Sequence, residues 1–268
     1  MVKYGEIIIR SLKFGVQPKR WLPFFVLDSA FFLLFLAMVF TNLGSIIDIL
    51  MTATTSTTAA FSLAGYAILT FACVAVWGLI KLYIAGAVIH QSVKPREFSK
   101  SWSVSKERYL SLVAVSVVVG VLSGAAGMIP WIGFILSIIV SLAFFFVIPA
   151  VVVKKLNFDD SLRESYNIFT KKPLQVLAVW VLISLVTLII MLVFLLPGIL
   201  FSWSVVAPLI GQMSTTTAIS LIMVTMLTNA WVLALCGIVF IIGMAITNAF
   251  ALSAQANFYK ELRKGKLL

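Results

Sequence analysis

Six long apolar stretches, separated by segments that carry nearly all of the charge, dominate the pattern of the chain. A helix that crosses a bilayer needs about 20 mostly apolar residues. The stretches are residues 21–40, 59–81, 109–128, 131–153, 174–196 and 221–254. The second can continue as helix to His90, and the sixth must tilt, kink or protrude because it is long. The pattern predicts an all-α, polytopic membrane bundle of six transmembrane helices.

The composition excludes a water-soluble protein. Hydrophobic residues make up 62% of the chain and charged residues 11%, whereas soluble domains carry about 25% charged residues. We predict a single integral membrane domain over residues 1–268, with hairpins at about 1–90, 91–153 and 154–268. Residues 1–20 lack the apolar core and small-residue cleavage site of a signal peptide, so the first span is expected to be retained.

The basic residues are distributed to one side of the predicted spans. All but one of the 20 Lys and Arg lie in residues 1–20, 91–108, 154–172 or beyond 259, and Lys81 lies at the same end of the second span. The opposite connections contain no Lys or Arg. The positive-inside rule therefore predicts a cell-membrane protein with both termini in the cytoplasm. Orientation and binding to anionic lipid head groups explain the net charge of +11 better than nucleic acid does.

Three short amphipathic stretches, at residues 7–14, 98–102 and 162–169, each lead into a span. We interpret the chain as three helical hairpins, each preceded by a cytoplasmic, amphipathic interfacial helix. An ancestral triplication is one explanation. The other is that any hairpin membrane protein needs an amphipathic lead-in and basic anchors.

Residues 147–166 carry a resemblance to a known group of proteins. Pro149 lies near a span end, and a β-branched run, a short polar turn and an amphipathic helix bearing Ser165 follow. This order resembles the six-helix prokaryotic membrane families that include the membrane domain of glycerophosphoryl diester phosphodiesterases. The resemblance implies the fold and topology. It does not imply the hydrolase activity, because in such fusions a separate soluble domain, with His and acidic clusters that this sequence lacks, performs it.

Sequence motifs for catalysis or cofactor binding are missing. His90 is the only histidine, and both Cys73 and Cys236 lie inside apolar runs. We therefore predict no catalytic residue, no metal site, no disulfide and no cofactor. His90 is expected to be interfacial or solvated, and the alternative is a metal or proton-relay role. No Gly-x-Ser-x-Gly elbow or Walker-type loop is present.

Polar residues inside the spans form a candidate intramembrane polar site. Its members are Asp28, Lys81, Asn229, Asn248 and Gln255. Asp28 lies seven positions into the first span, where a carboxylate costs a few kcal/mol unless it is paired, protonated or wetted. We hypothesise an Asp28–Lys81 pair, which is either structural or part of an ion or proton site. The sixth-span residues either bond neighbouring helices or line a conducting cavity.

Small residues recur at four-residue spacing on the third and fourth spans, which lets helix backbones approach closely. They are Ser116, Gly120 and Gly124, and Gly133, Ser137 and Ser141. We predict that these faces pack together, and a homodimer face is the alternative. After the fifth span, residues 201–208 are expected to form an outer interfacial helix or a re-entrant segment. Residues 52–58 are expected to form a solvated outer loop.

Two classes of function remain. The first is a non-enzymatic membrane protein, transporter-like or an accessory or scaffold subunit that interacts with lipid or with a partner membrane complex. The second is a lipid-processing enzyme with an intramembrane site. A polar cavity that reaches Asp28 would favour transport. A lateral, lipid-sized groove that ends at clustered polar groups would favour lipid handling, and a solidly packed bundle would favour a scaffold.

Overall fold

The computed structural model describes residues 4–41, 57–207, 224–225 and 228–264. The predicted all-α fold is confirmed, and the described residues contain no strand. The helices are α1 (Tyr4–Gly15), α2 (Pro18–Thr41), α3 (Thr57–Val93), α4 (Phe98–Glu107), α5 (Tyr109–Gly127), α6 (Gly133–Ala143), α7 (Val147–Val153), α8 (Phe158–Lys171), α9 (Pro173–Val206) and α10 (Ala230–Arg263).

Among the described residues, six helical stretches have the length and apolar composition needed to cross a membrane. They are Pro18–Met38, Ala64–Val93, Tyr109–Gly127, Gly133–Val153, Pro173–Val206 and Ala230–Arg263. Their side chains are mostly exposed on the surface of the bundle, which is the arrangement that a hydrocarbon solvent requires. The chain is a multi-pass membrane protein, as its pattern of apolar stretches predicts.

Each hairpin is preceded by an amphipathic helix, as expected. α1 and α8 have acidic residues in the first turn, Glu6 in α1 and Asp159 and Asp160 in α8, and a lysine in the last turn. These charges oppose the helix dipole at both ends and so stabilise short helices. Helix α9 then begins at Pro173, whose fixed φ suits a first helical position.

The three amphipathic helices pack in a cyclic order. Each lies against the second span of the preceding hairpin, so that α4 packs on α3, α8 packs on α6 and α7, and α1 closes the ring by packing on α10. Each helix buries a serine whose hydroxyl hydrogen-bonds to the span beneath it. The pairs are Ser105 Oγ with Tyr83 O (2.6 Å), Ser165 Oγ with Ala143 O (2.9 Å) and Ser11 Oγ with Asn257 Nδ2 (3.5 Å). The repeat is therefore a property of packing as well as of sequence.

This packing puts the core of the protein at one end of the bundle, where the amphipathic helices meet the ends of α3, α7 and α10. The fully buried side chains here include Ile89, Phe146, Phe258 and Tyr259. All the described Lys and Arg residues except Lys81 also lie in these helices or in the adjoining links and helix ends. We call this end of the bundle the basic end.

The contact of α4 with α3 depends on Gly86. A Cβ atom at this position would lie 2.5 Å from Ser105 Oγ and 2.8 Å from Leu112 Cδ1. We expect Gly86→Val to lower the free energy of unfolding by about 1–3 kcal/mol, because a side chain here separates the helices. Thermal unfolding in detergent measures the loss. Gly120→Val is the matched control, since a Cβ there meets no atom within 4 Å. Equal effects of the two changes would contradict this packing.

The prediction of small-residue packing between the third and fourth spans is only partly right. α5 and α6 do pack together, and Ser137 Oγ donates to Ser123 O at 3.1 Å. Gly133 is buried in this hairpin. However, Gly120, Gly124 and Ser141 are exposed, and Ser116 is half-buried. Helix–helix contact therefore uses a different face of α5 from the one that the spacing predicts, because Ser123 and Gly127 are the residues that meet Ser137 of α6.

The fourth, fifth and sixth spans also differ from prediction. The fourth span is broken into α6 and α7, and α9 continues through Pro197 to Val206 instead of ending at residue 196. Asn229 forms a turn, so α10 begins at Ala230 and extends beyond residue 254 to Arg263. α3 continues past His90, as expected. Residues 201–206 belong to α9 and do not form a separate interfacial helix or re-entrant segment, and residues 57 and 58 already lie in α3. Residues 52–56 of the expected outer loop and residue 208 lie outside the described residues.

Candidate functional site

The break between α6 and α7 is stabilised by side chains from other helices. Pro149 has no N–H, so it cannot donate to the carbonyl of Phe145 four residues earlier. Gln255 Nε2 from α10 donates to Phe145 O instead. An unpaired backbone group in a membrane costs several kcal/mol, so this amide replaces a bond that the helix lacks.

Ser165 from α8 satisfies the other freed groups of the same break. Its Oγ donates to Ala143 O at 2.9 Å and accepts from Phe146 N at 3.2 Å. Ser165 is 1% exposed, so water does not compete for these bonds. The serine of the amphipathic stretch noted in the sequence therefore helps to hold an irregular backbone inside the bundle.

A charged cluster lies between α2 and α3, where the sequence predicts the ion pair. Lys81 Nζ lies 3.7 Å from Asp28 Oδ1 and 4.3 Å from the centre of the Trp77 ring. Trp77 Nε1 also donates to Asp28 Oδ1 at 2.9 Å. Asp28 is 4% exposed, and its Oδ2 has no hydrogen-bond partner among the described residues. We call these three residues the Asp28 cluster.

An apolar groove opens sideways between α2 and α3, next to the Asp28 cluster. Its volume is about 350 Å³, and we call it the α2–α3 groove. Its walls include Leu27, Phe31, Leu34, Ala72, Trp77 and Ile80. The Phe31 and Trp77 rings pack at 5.3 Å between centroids. One end of the groove is therefore next to a buried ion pair, and the rest is bounded by hydrocarbon side chains.

A second cavity, polar and basic, lies at the basic end between α1, α2, α3 and α10. Its volume is about 290 Å³, and we call it the basic chamber. Four cations line it, together with polar and apolar groups. The cations are Arg10, Lys13, Arg20 and Lys260. None of the lining residues in the described part of the chain is acidic.

Arg20 is the most buried of these cations, with 8% of its surface exposed. Its guanidinium donates to Gln91 Oε1 at 2.8 Å and to Pro95 O at 3.4 Å, and it packs over the Phe14 ring. All of these partners are neutral. Within the part of the chain that the structure covers, no carboxylate lies in ion-pair distance of Arg20.

An apolar layer separates the chamber from the groove. Arg20, Phe24, Asp28 and Phe31 follow one another on one face of α2, at the spacing of helical turns. Phe24 is fully buried against Ile84 and other residues of α3 and α10. The two polar levels of this interface, at Arg20 and at Asp28, therefore lie on opposite sides of a packed aromatic side chain.

The five residues of the predicted intramembrane polar site do not converge. Asp28 and Lys81 are together, but Gln255 bonds the broken fourth span. Asn229 precedes α10, and its amide donates to the local Thr225 carbonyl at 2.9 Å. It lies roughly 39 Å from Gln255 at about 1.5 Å rise per residue. Asn248 is half-buried on α10 and lines neither the chamber nor the groove. The candidate polar residues therefore lie at separate places in the described structure and do not surround one cavity.

His90 is buried at the end of α3. Of the two expected positions, interfacial or solvated, the structure therefore corrects the solvated one. Its Nδ1 lies 2.9 Å from Ser101 Oγ, and Ser101 donates to Glu97 O. His90 therefore joins the end of α3 to the start of α4. The link between these helices carries Glu97, whose pKa lies below its usual value, first because Lys94 hydrogen-bonds to the carboxylate. The described residues hold no cluster of His, Cys, Asp and Glu suited to a metal ion.

The sequence assigns no structural role to several of the residues that complete these sites. Trp77 and Ser165 have no unusual sequence context, but Pro149 is a signal for the broken helix, because a proline inside a span frees a carbonyl. Arg20 was grouped with the other cations of the N-terminal segment. Its burial depends on how α2 packs against α3 and could not be read from the local pattern.

Comparisons of the chain with known protein families, with curated proteins and with solved structures find no match. The resemblance to the membrane domain of glycerophosphoryl diester phosphodiesterases therefore stays a prediction. The fold alone defines the class of protein: it is a multi-pass helical membrane protein with three hairpins.

Proposed function

We propose that the protein is a non-enzymatic, lipid-binding component of the cell membrane, which holds a lipid acyl chain in the α2–α3 groove. The observation that carries this proposal is the groove itself, which opens sideways from two spans that cross the hydrocarbon region. Acyl chains are the surrounding solvent at this depth, so an apolar groove here fills with them. An accessory role for a partner membrane complex fits the same geometry.

The Asp28 cluster supports lipid binding better than transport or catalysis. The carboxylate is already engaged by Lys81 and Trp77, and the groove beside it has apolar walls. Phe24 also separates this level from the basic chamber. Transport would need a polar path that reaches Asp28. The described residues between α2 and α3 form an apolar groove instead.

The proposal keeps the predicted orientation, with both termini in the cytoplasm. It is supported by the segregation of the described Lys and Arg to the basic end, because cationic side chains cross hydrocarbon at high energetic cost. Labelling from outside intact cells of a cysteine introduced at Lys100 would contradict this orientation.

A photoreactive acyl chain tests the groove. We expect phosphatidylcholine with a photoreactive group on its acyl chain to label residues 72–80 in the wild-type protein. Ala72→Phe fills the groove and is expected to reduce this labelling severalfold, because the added ring occupies part of the roughly 350 Å³ space. Peptide mass spectrometry after irradiation measures the label.

Ala75→Phe is the matched control for this experiment. It makes the same change three positions later in α3, at an exposed residue that does not line the groove. Labelling in this variant should equal that of wild type. If Ala72→Phe and Ala75→Phe are labelled alike, lipid contacts the spans without preference and the proposed groove function is wrong.

A further inference from the structure

The basic chamber concentrates positive charge that no carboxylate of the described residues neutralises. Arg10 and Lys13 come from α1, Arg20 from the start of α2 and Lys260 from the end of α10. None of the four takes part in an ion pair between described residues. Like charges held around one cavity repel each other, so an anion bound among them is stabilised.

A second basic cavity at the same end differs from the basic chamber, because a carboxylate lies among its cations. It has a volume of about 300 Å³, and Lys154, Lys171, Lys172 and Arg263 line it. This cavity contains its own carboxylate, because Glu164 lies 2.6 Å from Lys154 and 3.6 Å from Arg263. The described residues thus neutralise the second basic cavity internally, whereas they supply no carboxylate as a counter-ion to the basic chamber.

Neutral side chains position the cations of the chamber. Arg10 donates to Asn257 Oδ1, and the Asn257 amide is anchored by Ser253 O at 2.8 Å. Arg20 is held by Gln91 Oε1, as described above, and Gln91 Nε2 has no hydrogen-bond partner among the described residues. The guanidinium groups therefore keep free N–H donors in fixed directions. Planar, fixed donors suit the oxygens of phosphate better than they suit a single point charge.

We propose that the basic chamber binds a phosphate group, either in the head group of an anionic lipid or in a small soluble phosphate compound. A phosphate monoester carries up to two negative charges and three acceptor oxygens, which match several cations and amide donors around one space. If the phosphate belongs to a lipid, the proposal adds that the lipid bound by the protein is anionic. Only in that case does it rest on the function proposed above.

Thermal unfolding of the protein tests this site, because a ligand that binds the folded state raises the unfolding temperature. The soluble probe is added in neutral detergent, and the lipid probe is supplied in nanodiscs. The probes are inorganic phosphate and, in a separate arm, phosphatidic acid added to phosphatidylcholine nanodiscs. We expect at least one of them to stabilise the wild-type protein. Lys13→Gln with Lys260→Gln is expected to weaken the binding by about tenfold or more, since two charge-assisted contacts are lost.

The control variant carries Lys106→Gln with Lys171→Gln. It removes the same charge from two exposed positions outside the chamber and should keep wild-type binding. Stabilisation by phosphate alone identifies a soluble ligand as sufficient, and stabilisation only by phosphatidic acid identifies a lipid head group. Stabilisation by neither probe, or an equal loss in both double variants, would overturn the proposal. The groove experiment uses an uncharged change and a zwitterionic lipid, so the two proposals fail independently.

Discussion

Asp28→Asn is expected to lower the free energy of unfolding by about 3 kcal/mol, because it leaves the Lys81 ammonium within a span without its counter-charge. The amide can still accept the hydrogen bond from Trp77, so the loss reports the charge and not that bond. Lys81 is 24% exposed along its side chain, so the loss stays near the lower end of the range for buried pairs. Denaturant unfolding in detergent micelles measures the change.

A double-mutant cycle separates the pair from its members. In the Asp28→Asn and Lys81→Met double variant, both charges are gone and the methionine can still pack on the Trp77 ring, so stability should return to within about 1 kcal/mol of wild type. Arg163→Gln is the control. It breaks an exposed pair with Asp159 but leaves the charges of the first turn of α8 in place, and it should change stability by no more than about 0.5 kcal/mol. A double variant that is as unstable as Asp28→Asn would show that the carboxylate does more than balance Lys81.

The second large effect is expected at the broken fourth span. Gln255→Leu leaves Phe145 O without a donor, and we expect a loss of about 2 kcal/mol. Ser165→Ala frees Ala143 O and Phe146 N, with a similar loss. The two side chains bond different backbone groups, so the combined loss should approach about 4 kcal/mol, the sum of the single losses. Thermal or denaturant unfolding in detergent measures all three variants.

Pro149→Ala provides the decisive control for Gln255. With an N–H restored at position 149, the helix itself can donate to Phe145 O, and Gln255 is no longer needed. Gln255→Leu should therefore cost much less in the Pro149→Ala background than in wild type. If the cost is the same in both, then Gln255 stabilises the bundle through some contact other than this carbonyl.

Both experiments concern polar groups that would be expensive alone in hydrocarbon. In each case, the partner comes from a helix that is distant in sequence: Lys81 for Asp28, and Gln255 for Phe145. These contacts therefore join different spans, and they stabilise polar groups that lie within apolar helices. The Asp28–Lys81 pair was predictable because two charges inside neighbouring spans have few other partners. For Gln255 the sequence predicts either a bond to a neighbouring helix or a cavity-lining role, and the structure shows the bond. The acceptor itself could not be predicted, because it is a backbone carbonyl that only the helix break frees.

Helix packing is a second feature that the local sequence pattern predicts only in part. The four-residue spacing of Gly120 and Gly124 indicated a close helix contact, but both residues are exposed. Of the predicted glycines only Gly133 makes a close approach, and others occur at Gly86 and Gly243, which stand in no such repeat with another glycine. Spacing identifies a face that can pack closely, whereas the rotation of each helix decides whether that face meets a neighbour.

The sequence by itself determined the solvent, the number of spans and the three amphipathic lead-in helices. These features follow from the free energy of moving apolar and charged side chains between water and hydrocarbon, which depends on composition and local order. Only the tertiary structure decided the broken span, the α2–α3 groove and the basic chamber. Each arises where side chains from distant parts of the chain meet, and their relative positions depend on packing that no local pattern encodes.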